Sequence, residues 1–421
     1  MNISGQNSVQ KLEEIKEHLL QEVTLDEHLQ HSPEPKTVVL EATTGADGAL
    51  HEHALYAGNS DIKELTPKPS GKYKFIRSVG FGGMKAVIQV KDRDTTRNVA
   101  MAIIPDAADR PQSDINRFVQ EARITARLEH PNIVPVHDIG VDTNGTPYFT
   151  MKLLRGRTLA AILRKLREDD YKTLKEFDLT RLLRIYVKVL NGVAFAHSKK
   201  VIHLDLKPDN IHVGDFGEVL ILDWGLARFI GAAEDIDDNY DGEMITFPGT
   251  GASSNITLDG ITKGTPGYMA PEQAAGKNRL KDERTDIYAL GALLYAMLTF
   301  ESPLSGRPVN EMIAETIHGN ISFPDAENQK RQLPAAMQAV VLKAMGRNPE
   351  ERYQSVDELR EDVFAFLGGF APKAEDASSL KKTYLFVSRN WLATLFLITL
   401  LLLIIACSWI GMLYYDGTLQ W

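Results

Sequence analysis

Two short apolar runs each deliver a charged cluster to a loop. Val201-Ile202 leads into His203-Leu204-Asp205-Leu206-Lys207-Pro208-Asp209-Asn210, which presents an acid, a base and an amide within one turn. Val219-Leu220-Ile221-Leu222 then leads into a second acid, Asp223, followed by Trp224-Gly225. Carboxylates set at the ends of two apolar runs have the layout of a phosphate and metal site built at strand ends.

His203, Asp205, Lys207 and Asn210, in that order, resemble the catalytic loop of eukaryotic-type protein kinases. Asp223-Trp224-Gly225 is similar to the family's metal-binding Asp-Phe-Gly, with Trp in place of Phe, and the wording through Arg228 is similar to bacterial Ser/Thr kinases. The resemblance implies an α+β, two-lobed kinase fold: a small β-rich N-lobe, a larger helical C-lobe and ATP between them. It implies roles as well. Asp205 would be the base that orients the substrate hydroxyl, and Lys207 would neutralise charge on the transferring phosphoryl group. Asn210 and Asp223 would hold Mg²⁺, a hard ion that takes oxygen ligands.

The elements that must position these groups begin at Lys72. Lys74–Val79, Val87–Val90 and Val99–Ile104 read as three strands. Between the first two lies Gly80-Phe81-Gly82-Gly83-Met84, a glycine turn whose backbone N–H groups can approach phosphates because no Cβ intervenes. By itself Gly-x-Gly is equally a plain hairpin. With the resemblance, this turn together with Val87 and Ala100 would line the nucleotide.

The chain departs from the family at the third strand. Val99-Ala100-Met101-Ala102 puts alanine where the family has its phosphate-binding lysine. The third glycine of the loop is also replaced, by Lys85. The paired changes resemble the with-no-lysine kinases, in which the ammonium sits at this glycine position. Lysine is a point charge on a flexible four-carbon stem and can reach one site from two strands. The alternative is that Lys85 is a solvated strand residue and the site has decayed. Lys91 is a weaker substitute, farther along the same strand.

Asp114–Leu128 reads as a helix carrying Phe118, Glu121 and Leu128 on one stripe. A carboxylate on an inward stripe needs a partner. Glu121 matches the family glutamate that pairs with the lysine, and its partner here would be Lys85. Pro147–Met151 reads as the strand running to the inter-lobe hinge. Met151 would lie behind adenine, with Lys152, Leu153 and Leu154 as the hinge.

A second departure is Leu204, where kinases switched by activation-loop phosphorylation carry arginine. Leucine cannot make that charge-assisted pair. About fifty residues separate Asp223 from Ala270-Pro271-Glu272, with an acidic middle (Glu234 to Asp241) and then Gly, Ser and Thr. A solvated or disordered run is the plain reading of such charge; repelling acidic substrates is the sharper one. Thr246, Thr250, Ser253, Ser254, Thr257 and Thr262 are candidate autophosphorylation sites. Thr265 matches the threonine linking Asp205 to Lys207 in Ser/Thr-specific members. Asp286 matches the aspartate that braces the catalytic loop, and Arg352 the arginine that bridges to Glu272. The resemblance covers about residues 72–367, split near 153 into the two lobes.

Composition bounds the rest. The chain has 421 residues, 43% hydrophobic and 24% charged, enough for a kinase-sized core with extra segments. A net charge of -9 argues against nucleic acid as the main partner. The single cysteine, Cys407, excludes an intrachain disulfide. Residues 1–71 read as an amphipathic helix and a linker, with no signal peptide evident. After a juxtamembrane linker, 368–390, residues 391–413 form an apolar run of about 23 residues, enough at ~1.5 Å per residue to span roughly 30 Å of hydrocarbon. Lys381, Lys382 and Arg389 on its N-terminal side predict a single pass through the inner membrane, with the kinase domain cytoplasmic and a short tail, 414–421, outside. The expected function is therefore a membrane-anchored Ser/Thr kinase acting on protein hydroxyls, with a homodimer for autophosphorylation among its partners. The alternative is a pseudokinase scaffold that binds nucleotide or partners without phosphotransfer.

Overall fold

The computed structural model describes residues 71–81, 85–142, 145–230, 264–277, 280–323 and 333–415. The expectations for residues 1–70, for Gly82, Gly83 and Met84, for the acidic stretch with its neighbouring hydroxyls, and for 416–421 lie outside these residues.

The first lobe is a five-stranded antiparallel sheet in the order β1-β2-β3-β5-β4. Its strands are β1 (Tyr73–Phe81), β2 (Ala86–Asp92), β3 (Asn98–Ile103), β4 (Val136–Val141) and β5 (Pro147–Lys152). Successive side chains of a strand point to opposite faces, and here each face has its own core. Ile88, Val90, Val99 and Met101 pack with Tyr148 on one side. Ala102, Ile104 and Phe149 pack on the other against Ile115, Phe118, Val119 and Ala122 of α1 (Gln112–Arg127). Asp92 closes the β2–β3 turn, its Oδ1 accepting from the backbone N–H of Asp94 at 2.9 Å and of Thr95 at 3.2 Å.

The second lobe opens with β6 (Gly156–Thr158), α2 (Leu159–Arg167), α3 (Tyr171–Glu176) and α4 (Leu179–Ser198). The short strands β7 (Val201–Ile202), β8 (Ile211–Gly214), β9 (Val219–Ile221) and β10 (Arg228–Phe229) follow. They form two small sheets, β6-β8-β9 and β10-β7. These strands explain the two apolar runs: β7 feeds the His203–Asn210 loop and β9 feeds Asp223. Then come α5 (Pro271–Ala274), α6 (Glu283–Thr299), α7 (Val309–His318), α8 (Ala335–Ala344) and α9 (Val356–Leu367). The run Thr285–Leu298 is buried all round, as its lack of a polar face requires. Asp282 starts α6 with a capping box shared with Thr285. Arg352, fully buried, donates to both carboxylate oxygens of Glu272 at 2.9 and 2.8 Å, tying α5 to the end of the lobe.

Residues 368–390 hold more structure than a linker. Lys373–Glu375 form a 3-10 turn, and Ser379–Arg389 form α10, which Ser378 caps by accepting from the backbone N–H of Lys381. One residue later α11 (Trp391–Tyr415) begins. Within it Trp391–Ile410 is long and apolar enough to cross a membrane, and none of that stretch is buried against the rest of the chain.

Candidate active site

β-Sheet register explains how an ammonium can reach the cleft from β2. Val87 lies opposite Ala102, and Gln89 opposite Ala100. By the period of two, Lys85, Val87 and Gln89 share the face that Ala102 occupies on β3. Ala102 itself is walled in between Val87 and Phe149 and is only 1% exposed. Lys85 ends on Glu121 of α1, to which its Nζ donates, and on Asp223 Oδ1 at 2.8 Å. One ammonium thus joins β2, α1 and the loop after β9. Lys91 lies exposed at the far end of the strand, opposite Asn98.

The electrostatics follow from burial and from two acids sharing one base. Burial works to lower the Lys85 pKa, but the Glu121 and Asp223 carboxylates outweigh it and hold the ammonium above its ordinary value. Burial raises the Glu121 carboxyl, and Lys85 offsets this only in part because Asp223 adds a like charge. Asp223 is more open, its side chain 42% exposed. Burial again pushes it up, yet Lys85 brings it below the usual carboxylate range. Gly225 leaves room for this cluster, since a Cβ there would lie 3.2 Å from Glu121 Oε2.

The catalytic-loop residues form a second cluster around Asp205. Lys207 Nζ donates to Asp205 Oδ2 and to Thr265 Oγ1, both at 2.7 Å, and Thr265 Oγ1 donates to Asp205 Oδ1 at 2.8 Å. Asn210 Nδ2 donates to the Asp205 carbonyl at 2.8 Å and to its Oδ2 at 3.2 Å. The amide nitrogen of Asn210 is spent inside the loop, so its carbonyl oxygen is the end left to serve a cation. Among the described residues no group of three or more His, Cys, Asp or Glu side chains could hold a metal. Mg²⁺ does not need one, because it takes one or two protein oxygens and completes its shell with phosphate and water. The oxygens of Asp223 and Asn210 fit that requirement.

The other expected residues fall around the same cleft. Gly80 and Phe81 end β1, where Gly80 faces Val87 and Phe81 faces Ala86. Ala100 is buried and pairs with Met151, which packs partly buried against the α1-side core. Lys152, Leu153 and Leu154 leave the sheet toward β6, and the Lys152 backbone N–H is held by the Pro135 carbonyl at 3.2 Å.

Two residues of the sequence motifs, Trp224 and His203, act as supports, and a third support, Gln273, escaped the sequence reading. Trp224, 1% exposed, packs its ring 4.5 Å from that of His203. His203 spans the two loops, with Nδ1 accepting from the Asp205 N–H at 3.2 Å and Nε2 lying 3.1 Å from the Leu222 carbonyl. Gln273 donates to the Leu204 carbonyl at 2.8 Å. Asp286 completes this frame from α6, accepting from the backbone N–H of His203 at 2.8 Å and of Leu204 at 2.9 Å while pairing with His197 Nε2 at 2.8 Å. Leu204 sits with φ +65 inside it, a conformation that a β-carbon disfavours and that these hydrogen bonds impose.

A five-stranded antiparallel lobe set on a helical lobe, with three acids, two ammonium groups and an amide at their seam, is the protein kinase architecture. The protein kinase domain family matches residues 73–364, and the chain belongs to it. The chain is 37% identical over 323 residues to the serine/threonine-protein kinase PknD of Protochlamydia amoebophila, covering 75% of this chain and 32% of that protein. It is 38% identical over 301 residues to the PknD of Chlamydia caviae, covering 71% and 31%. The chain therefore spans about a third of the length of these relatives.

Proposed function

We propose that the chain is an active Ser/Thr protein kinase, anchored in a membrane by α11, that transfers the γ-phosphate of ATP to protein hydroxyls with Lys85 in place of the missing third-strand lysine. The observation that carries this reading is the bridge from Lys85 to both Glu121 and Asp223. A decayed site would have no reason to keep a cation on a buried carboxylate and a cleft carboxylate at once. Likeness to kinases whose names specify serine and threonine supports the acceptor class.

The residues divide the work. Asp205 orients and receives the proton of the acceptor hydroxyl, and Thr265 and Lys207 hold its carboxylate from two sides. Lys207 also stands ready to neutralise charge on the transferring group. Lys85 steadies the nucleotide phosphates and is itself fixed by Glu121. Asn210 and Asp223 would hold Mg²⁺, which supplies charge neutralisation on the phosphates when bound. Gly80 through Met84, Val87, Ala100 and the segment Met151–Leu154 would enclose the nucleotide. The basic residues before α11 favour a cytoplasmic kinase domain.

Phosphotransfer from radiolabelled ATP with Mg²⁺ to a generic basic protein, by the chain in detergent or bilayer, tests this. Asp205→Asn should abolish turnover while nucleotide still binds. Nucleotide binding with no turnover by the unaltered chain in any divalent metal would instead make it a scaffold.

A further inference from the structure

The short helix between the kinase domain and α11 has a face that nothing in the chain covers. On α10, Leu380, Tyr384 and Val387 are spaced i, i+4 and i+7, which places them on one stripe. They are 84%, 70% and 39% exposed, and Trp391 at the start of α11 carries the stripe on, 59% exposed. An amphipathic helix that leaves most of its apolar stripe exposed is missing its partner.

The other side of α10 is already engaged, with the kinase domain. Arg389, about half a turn from the stripe, lies 3.7 Å over the Phe370 ring and donates to the Gly369 carbonyl at 3.4 Å. Lys381 pairs with Glu375. The turn holding Glu375 is in turn fastened to the C-lobe by Asp362, which is 1% exposed. Asp362 accepts from the backbone N–H of Lys373 at 2.6 Å and of Ala374 at 3.0 Å, and from the Tyr353 hydroxyl at 2.7 Å. α10 is thus fastened to the kinase domain on one side and open on the other.

Charge and continuity name the occupant. Ser379–Arg389 contains no acid, and beyond Lys381, which pairs with Glu375, it carries the charges of Lys382 and Arg389, which suit anionic headgroups. Only Asn390 separates α10 from α11, whose stretch Trp391–Ile410 is not buried against the rest of the chain. We infer that α10 lies in the headgroup layer of the bilayer that α11 crosses, with Leu380, Tyr384 and Val387 in the acyl boundary, so that the kinase domain is held on the membrane surface and not on a slack tether. This rests on the membrane reading of α11.

The test uses the full chain with Cys407→Ser in nanodiscs containing phosphatidylglycerol. Single cysteines are introduced as Leu380→Cys, Lys382→Cys, Tyr384→Cys, Val387→Cys and Leu400→Cys, and each is labelled with an environment-sensitive nitrobenzoxadiazole dye. The expected result is blue-shifted emission, protected from an aqueous quencher, at 380, 384, 387 and 400, with water-like emission at 382. Water-like emission at 380, 384 and 387 with a lipid-like signal at 400 overturns the inference and leaves α11 in the membrane. Water-like emission at 400 removes the membrane reading itself and the inference with it. All five positions sit on exposed helix faces, so the labels report environment without disturbing the kinase core.

Discussion

Lys85→Met removes the ammonium and keeps most of the stem. Two costs follow, and the structure separates them. The catalytic cost comes from losing a cation fixed beside the phosphate site. Removing one such preorganised group typically costs about 10²–10³ in rate, or roughly 2.7–4 kcal/mol. The structural cost comes from Glu121, whose side chain is only 10% exposed and would lose its partner. Breaking a buried pair costs about 3–5 kcal/mol when the remaining charge cannot escape. Here the charge is less trapped, because burial raises the Glu121 carboxyl toward its neutral form and the Asp223 side chain is 42% exposed. The net structural cost is then about 1–3 kcal/mol. At about 2–4 °C per kcal/mol for a large domain, Tm falls several degrees while the fold persists. Radiolabel turnover and thermal denaturation of the same preparations should therefore show kcat/KM down by about 10²–10³ with a cooperative transition retained. Adding Ala102→Lys to Lys85→Gly should recover part of the loss, because the two positions share a face one residue pair apart. Full turnover in Lys85→Met, with Ala102→Lys making no difference, would refute the relocation of the ammonium.

Thr265→Ala deletes the hydroxyl that joins Lys207 to Asp205 and should lower kcat about 10-fold to 100-fold, the value of a charged hydrogen bond of roughly 1.5–3 kcal/mol; Thr265→Ser should restore it. Asp286→Asn should destabilise the fold by about 3–5 kcal/mol. Burial raises the Asp286 carboxyl, but His197 and the N–H groups of the catalytic loop bring it below its ordinary value. Its stabilisation is therefore complete above the ordinary carboxylate pKa of about 4 and is lost as pH falls below that. Denaturant titrations of wild type and Asp286→Asn should accordingly converge in acid, and a gap that widened there would contradict the assignment. Leu204 cannot pair with a phosphate, so phosphatase treatment should leave turnover of an exogenous substrate unchanged; a large fall would show another cation in that role.

The carboxylates were legible in the sequence because their side chains are short. Asp205 and Asp223 can act only where the backbone puts them, so β7 and β9 must end close by, three and two residues before them, and short apolar runs precede them. The two-lobed α+β fold was implied by the kinase resemblance those motifs carry, and it is the fold the structure has. Backbone conformation was not legible in the same way. Leu204 at φ +65 and Asp223 at φ +59 carry β-carbons in the left-handed region, and no local residue choice announces that. Leu204 is held there by Asp286 and Gln273, about 70 to 80 residues on. Residues 368–390 read as a linker because the stripe of α10 is only eleven residues long and because Asp362, which fastens the turn before it, lies in another element.

Lysine is the opposite case to aspartate, and Ala102 shows why a missing motif residue is weak grounds for calling a site dead. A four-carbon stem lets the ammonium sit far from its own Cα, so the chemistry constrains the nitrogen and hardly the strand that carries it. Any position on the cleft-facing side of β2 or β3, within one stem of Glu121, can supply it. The pairing of Val87 with Ala102 puts Lys85 among those positions, whereas Lys91 shares the face but lies opposite Asn98, at the wrong end of the strand. The proposed placement of the ammonium at the end of the glycine turn has a consequence for Ala102. With no long side chain to pass through it, the β3 position can close against Phe149 and join the core under α1, where a lysine stem would otherwise have to be accommodated. Under the proposed relocation, loss at one strand and gain at the other are one change in how the lobe packs, with Glu121 as the carboxylate that either position would serve.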